Sequence, residues 1–228
     1  MHNLLDNPVY NALLTGDATR GKRAGEIKYF DREVSPFVGF REDYADGFAD
    51  LSRLFPPGRE ILYATRKQIG LPQGWKLSRF IGGTQFVLDP KNARLSGNTH
   101  PEILPLEPEH AAEMVALAAL TRPGPFGMRT IEFGSYYGIF DAHKLVAMTG
   151  QRLHIHQYTE ISAVCTHPDH LGKGYAGKLL EHQADLIIHA GQVPFLHVKS
   201  DNDRAIYLYE KLGFSKNGPM NFYFMVRA

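Results

Sequence analysis

Residues 163–180, AVCTHPDHLGKGYAGKLL, run from a strand-like stretch through a short polar loop into glycines that open a helix-like stretch. Such a junction is an anion site. The first backbone N–H groups of a helix lack internal partners, the helix dipole is positive there, and glycines let a phosphate approach the main chain. A pyrophosphate suits it. Gly172, Gly174 and Gly177 also satisfy the GxGxxG dinucleotide pattern. In that fold, however, the strand runs almost directly into the first glycine. Here HPDHL intervenes, and too little chain follows Gly172 for the remaining strands. The triphosphate-binding ending GK[ST] does not occur. The same glycines would also serve a tight turn and close helix packing without any ligand.

Other reactive types carry less. Cys165 is the single cysteine; no triad accompanies it, and His167 next to it is followed by Pro168, so it reads as a small buried residue rather than a nucleophile. His154 and His156 share a strand face and could ligate a metal, but in a chain with 11 histidines such a pair arises easily, and no third ligand is evident. No metal is expected.

The elements that must position these residues belong to an ordinary globular chain. Its 228 residues are 43% hydrophobic and 21% charged, with a formal net charge of +1. That balance argues against nucleic acid as a dominant partner. One cysteine excludes a disulfide scaffold. No apolar run approaches the roughly 20 residues of a membrane-spanning helix, and the start MHNLLDNPVY lacks a basic region followed by an apolar core. No membrane partner is expected, and the cytoplasm is the expected compartment.

The clearest break is DPKNARLSGNTHPE, residues 89–102. It places a boundary near residue 98, between an N-terminal α/β segment, 1–98, and a second part, 99–228. The first segment reads as helix, two strands, helix and strand (LDNPVYNALL, GEIKYF, SPFVGF, DGFADLSRLF, EILYAT), with no recognisable reactive cluster. The second opens with strand EILPLEP and helix HAAEMVALAAL, which Pro123 and Gly124 end. Strands TIEFGSYYGIF, KLVAMTGQRLHI and TEISAVCT follow, then helix 174–191, strand PFLHVKS, helix NDRAIYLYEKLG and strand NFYFMVR. Both parts mix strands and helices similarly, which allows the first to be a degenerate relative of the second.

At the glycine loop the sequence resembles the GNAT superfamily of acyl-CoA-dependent N-acyltransferases, whose signature is Gln/Arg-x-x-Gly-x-Gly/Ala between a strand and the following helix. Leu171-Gly172-Lys173-Gly174-Tyr175-Ala176 stands in that register; Leu171 departs from the usual Gln or Arg. NDRAIYLYEKLGF, residues 202–214, looks like the family's Asn-x-x-Ala-x-x-x-Tyr-x-x-x-Gly-Phe helix and turn. Glu160, eleven residues before Leu171, stands where some members carry the catalytic base. These motifs span 160–214, the order of elements extends the likeness over about 102–228, and residues 1–98 lie outside it. The implied fold is α/β, a mixed, mostly antiparallel central sheet flanked by helices.

The resemblance implies transfer of acetyl from acetyl-CoA directly to an amine, on a small molecule or a protein. Acyl-CoA would lie between two splayed strands, its pyrophosphate on Gly172 to Gly177 and its pantetheine arm along Val164, Cys165 and Thr166. Asn202 would bond the pantetheine. An amine attacks only when neutral, and a lysine-like amine with pKa near 10.4 is protonated at pH 7, which calls for a base. Glu160 is the candidate: strand alternation would put it with Ser162 and Val164 on one side and Ile161 with Ala163 on the other. A salt-bridged strand carboxylate is the competing reading. Tyr209 is the candidate acid for the departing thiolate, and Tyr207, about 200° away on a helix, should be core or surface.

The resemblance further implies an acceptor pocket built from the turn after the first helix and the loops beside the central strands, here TRPGPFGMRTIEFG, residues 121–134. Arg122 and Arg129 could take a carboxylate and Glu132 an amine, and Phe126, Phe133, Tyr136 and Tyr137 could form an apolar wall. Two rivals stay open: a non-catalytic acyl-CoA-binding or interaction module, and a dinucleotide-binding oxidoreductase resting on the GxGxxG match alone.

Overall fold

Proline, glycine and asparagine stand where the apolar pattern changes period, and the elements follow that punctuation. In the computed structural model, which describes residues 3–98 and 100–228, α1 (Pro8–Leu14) has proline in its first turn. Then come β1 (Lys22–Ala24), β2 (Ile27–Tyr29), β3 (Phe37–Gly39), α2 (Gly47–Leu54), β4 (Glu60–Thr65) and β5 (Trp75–Val87). After the break follow β6 (Ile103–Pro105), α3 (Ala111–Thr121), β7 (Tyr137–Asp141), β8 (Lys144–Ile155) and β9 (Tyr158–Thr166). The chain continues through α4 (Tyr175–His189), β10 (Val193–Lys199), α5 (Asp203–Lys211) and β11 (Ser215–Arg227).

The described strands form one sheet in the order β1-β2-β3-β4-β11-β5-β10-β9-β8-β7-β6. Only β3–β4 and β9–β10 pair in parallel. Helices α4 and α5 cover one face, with Leu180, Ile187 and Tyr209 packing on Phe86, Ile161 and Leu196. Helices α1 and α3 cover the other, through Val9, Leu13 and Met114 against Met148 and Phe195. The expected mixed, mostly antiparallel sheet flanked by helices is the fold found. No helix among the described residues is long and apolar enough to cross a membrane.

Two expectations need correction. TIEF is a 3-10 helix, Thr130–Phe133, closed by Gly134, so the strand begins only at Tyr137. The long strand β5 was not expected: in WKLSRFIGGTQFV the two glycines and the polar residues dilute the strand signal. Its setting explains the glycine. A Cβ on Gly83 would lie 2.9 Å from the Phe222 ring and 3.0 Å from the Val198 carbonyl.

The break at 89–102 lies between β5 and β6, and the sheet runs across it. β5, from before the break, pairs with β10 and with β11, while β11 pairs with β4. Each half repeats one scheme, an antiparallel pair, a parallel crossover over a helix, then an antiparallel partner: β2-β3-β4 over α2, and β8-β9-β10 over α4. In each half that last partner is the final strand of the other half.

Candidate functional site

Strands β9 and β10 build the site by parting. They pair in parallel only from Tyr158–Glu160 against Val193–Phe195, so residues 161–166 and 196–199 diverge into a wedge. A bulge sharpens the divergence: Ala163 has φ 55, and the register to β8 slips between Met148 and Gly150. One extra residue reverses the alternation beyond it. Ile161 and Val164 therefore pack on the α4–α5 side, and Ala163 and Cys165 on the opposite side. The expected sharing of one face by Glu160, Ser162 and Val164 does not hold.

From Thr166 the chain passes a short 3-10 helix, Pro168–His170, to Leu171, then to Gly172 (φ 82) and Gly174 (φ 78), the N-cap of α4. Both glycines occupy the left-handed region that a side chain disfavours, and a Cβ on either would meet nothing within 4 Å. The loop needs glycine for its path, and the space before it is open. Among the described residues no carbonyl or side chain accepts from the N–H groups of residues 172–177, the next bond being Lys178 N–H to the Gly174 carbonyl at 3.2 Å. Six consecutive donors are thus unpartnered beside a cleft of about 790 Å³, which Gly172 and Gly174 help to line. Leu171, Tyr175, Ala176 and Gly177 line it from the loop and α4, Val164, Cys165 and Thr166 from β9, and Asn202 and Tyr209 from the α5 side. Lys173, by contrast, turns toward His170 and Asp141. Arg204 and Lys211 of α5 and Ser96, Asn98 and His100 of the break also line the cleft. Sequence reasoning missed them, since nothing in their spacing ties them to the loop.

Thr166 has a buried hydroxyl oxygen without a partner, and Asn202 uses its side-chain oxygen to cap α5 at Ala205 N–H, 3.2 Å away. Tyr209 is 8% exposed and lines both cleft and wedge. Burial pushes its hydroxyl up to about 12, so it stays protonated at neutral pH. Tyr207 is on the surface, 70% exposed. Burial raises the Cys165 thiol to about 11, against weaker opposing bonds to Thr121 and the Met148 backbone, which makes it a poor nucleophile. His154 bonds Asp17 at 2.9 Å, and His156 stands in the β8–β9 turn with φ 47.

Glu160 is fully buried. Arg152 donates to both its oxygens, at 2.8 and 2.6 Å, and His197 Nδ1 lies 2.7 Å from Oε1. Burial alone would raise the carboxyl; the Arg152 charge and these bonds outweigh it and hold it at about 2. His197 is likewise committed. Arg66 can only donate to Gln85 Oε1, at 2.8 Å, so the Gln85 amide nitrogen is the group 2.8 Å from His197 Nε2, and His197 carries its proton on Nδ1, toward Glu160. Both Glu160 oxygens are thus engaged and the carboxyl is held below its ordinary range, an arrangement that suits an ion-pair partner of Arg152 better than a free general base.

On the α3 side the wedge opens into a cavity of about 490 Å³. Arg122, Pro123, Arg152, His197, Val198 and Lys199 line both spaces. Phe126 joins its wall, as expected. Phe133 and Tyr136 are core residues, and Tyr137 packs on His182. Arg129 and Glu132 do not reach it: exposed at the cap and in the turn of the 3-10 helix, they bond each other at 2.6 and 3.0 Å. At spacing i, i+3 the two side chains satisfy one another before any ligand arrives. Phe37, Glu60, Leu62, Arg79 and Ile81, all from before the break, complete the wall.

Comparison with known proteins agrees with this architecture. Residues 136–224 match the model of a family described as FR47-like protein. No curated protein matches the chain in sequence. A crystal structure from Novosphingobium aromaticivorans, assigned to the GNAT family as an acetyltransferase, is similar over 100% of both chains, with 29% identity and a TM-score of 0.92. A GCN5-related N-acetyltransferase from Kribbella flavida shares the fold with TM-score 0.65 and 14% identity, over 96% of this chain and 95% of that one. A GCN5-related N-acetyltransferase-like protein from Streptococcus suis does so with TM-score 0.59 and 12% identity, over 94% and 92%.

Proposed function

From a chain that has the GNAT acetyltransferase fold throughout and an FR47-like stretch in its C-terminal part, we propose an N-acetyltransferase that moves acetyl from acetyl-CoA directly to an amine. The observation that carries this reading is the run of six unpartnered N–H groups, 172–177, at the mouth of a wedge leading through the sheet to a second cavity. One substrate enters from each side.

In this reading the pyrophosphate rests on residues 172–177, with Arg204 and Lys211 near the charged nucleotide end, and the pantetheine follows the open edge of Val164, Cys165 and Thr166. The thioester carbonyl then lies in the wedge, where bulge N–H groups stabilise the oxyanion. The amine nitrogen bonds to the carbonyl carbon, its proton passes to water, and the carbon–sulfur bond breaks. Tyr209 supplies a proton to the leaving thiolate and recovers one from solvent. With Glu160 held ionised, the neutral amine is favoured instead by the cations of the cavity, which disfavour an ammonium beside them. Glu160 positions Arg152. The single cysteine suits a cytoplasmic setting.

We assign residues 1–98 to the same working unit, as a degenerate copy whose last strand is exchanged. The turn of the first half that corresponds to the glycine loop, between β3 and α2, carries Glu42, Asp43 and Asp46, which would repel a pyrophosphate. The test is a calorimetric titration with acetyl-CoA, with NADH as control. Saturable micromolar binding of acetyl-CoA alone is expected; binding of NADH in its place would return the oxidoreductase reading.

A further inference from the structure

The second cavity has an uneven charge pattern. Arg79, Arg122, Arg152 and Lys199 line it, against one acid, Glu60, whose Oε2 is already held by Ser78 at 2.9 Å. Among the described residues no carboxylate pairs with Arg79, Arg122 or Lys199, although the chain as a whole is nearly neutral. Arg152 gives Nε and one terminal nitrogen to Glu160, and its other terminal nitrogen, Nη1, makes no bond among the described residues. Arg122 adds a second kind of evidence. It ends α3 in the left-handed conformation, φ 53 and ψ 51, a position where glycine is the relaxed choice. An arginine held there carries a backbone cost, and such a cost is commonly kept where the side chain is used.

The cations are not spread evenly. Arg122, Arg152 and Lys199 line the wedge as well as the cavity, while Phe37, Leu62, Ile81, Val115, Phe222 and Phe224 belong to the cavity alone, together with Arg79, which lies over the Phe224 ring at 3.9 Å, and Glu60, held by Ser78. The anion of an acceptor is therefore drawn to the wedge end, beside the reacting amine, and its apolar body to the far end. We propose that the acceptor is an α-amino acid with an apolar side chain, its α-carboxylate held by Arg122, Lys199 and the free nitrogen of Arg152. The assignment rests on the acetyltransferase reading and names its substrate class. A peptide N-terminus has an amide where the free amino acid has its carboxylate, and a polyamine has a further cation; the same groups disfavour both.

The test separates the two levels. Acetyl-CoA binding is titrated first, since its absence would remove the acetyltransferase reading itself. Phenylalanine, phenylalaninamide and phenethylamine, which share an amine and an apolar body, are then compared as acceptors by release of free thiol from acetyl-CoA. Loss of a charge-assisted contact predicts kcat/KM at least about 10-fold lower for the two amines without a carboxylate. Arg122→Gln should raise the KM for phenylalanine about 10-fold while the acetyl-CoA Kd stays constant, and Arg122→Lys should recover part of the loss. Binding of N-acetylphenylalanine and N-acetylphenethylamine, titrated with CoA present, gives a readout free of turnover, and the carboxylate compound should bind at least about 10-fold tighter. Equal binding of the two, or better turnover of phenethylamine or spermidine than of phenylalanine, would overturn the assignment while leaving the acetyltransferase reading in place.

Discussion

Arg152 grips Glu160 through two hydrogen bonds, of 2.8 and 2.6 Å, with the Glu160 side chain fully buried and the Arg152 side chain 14% exposed. The pair sits at the point where β9 and β10 part, and it converts the carboxylate that resembles a catalytic base into an anchor for a cation at the wedge. Its ionisation is coupled to folding. A carboxyl lowered from 4.5 to about 2 contributes stability that is present above pH 4.5 and lost as pH falls toward 2, on the order of 3 kcal/mol.

Glu160→Gln should therefore lower stability at pH 7, by about 3–5 kcal/mol if Arg152 stays buried without its partner. The difference from the unaltered protein should shrink as pH falls below 4.5. Urea unfolding at pH 7 and pH 4 measures both. A variant equally stable at pH 7, with an activity loss confined to low pH, would return Glu160 to the role of base.

Tyr209→Phe removes the hydroxyl at the junction of cleft and wedge and keeps the ring against Phe86 and Phe214. Turnover should fall 10²-fold or more with acetyl-CoA affinity nearly constant. An unchanged rate would exclude Tyr209 as the acid.

Gly174→Val places a branched side chain at φ 78 in front of the unpartnered N–H groups. Acetyl-CoA binding measured by calorimetry should weaken at least about 10-fold, as backbone approach to the pyrophosphate is obstructed. Because a Cβ there meets nothing within 4 Å, the fold should persist, with a stability loss of about 1–2 kcal/mol from the left-handed backbone. Full affinity in a folded variant would show that the loop does not hold the anion.

Residues 99–228 expressed alone should fail to form a stable monomer, because β10 and β11 would each lose β5, the strand between them. Co-expression with residues 1–98 should restore a soluble complex, as judged by gel filtration and circular dichroism. A folded, monomeric 99–228 fragment would show that the two halves are independent.

Local rules made much of this legible. The limits of β8 and α4 and the stop of α3 before Pro123 follow from periodicity and proline chemistry, each acting within a few residues. The glycine loop was legible for the same reason, since a left-handed backbone at Gly172 and Gly174 demands glycine where it occurs. Arg129 and Glu132 misled, because two complementary charges three apart on one turn bind each other whatever pocket lies nearby.

What the amino-acid order determined by itself was the type of most elements and the glycine turn that opens α4, because both rest on backbone preferences of neighbouring residues. Tertiary structure alone decided the exchange of β5 and β11, the second cavity lined by residues from 37–81 and 115–224, and the pairing of Glu160. These depend on groups such as Arg152, His197 and Gln85, far apart in the chain, meeting in one buried network. There a carboxylate's protonation is set by its neighbours in space and not by its place in a strand.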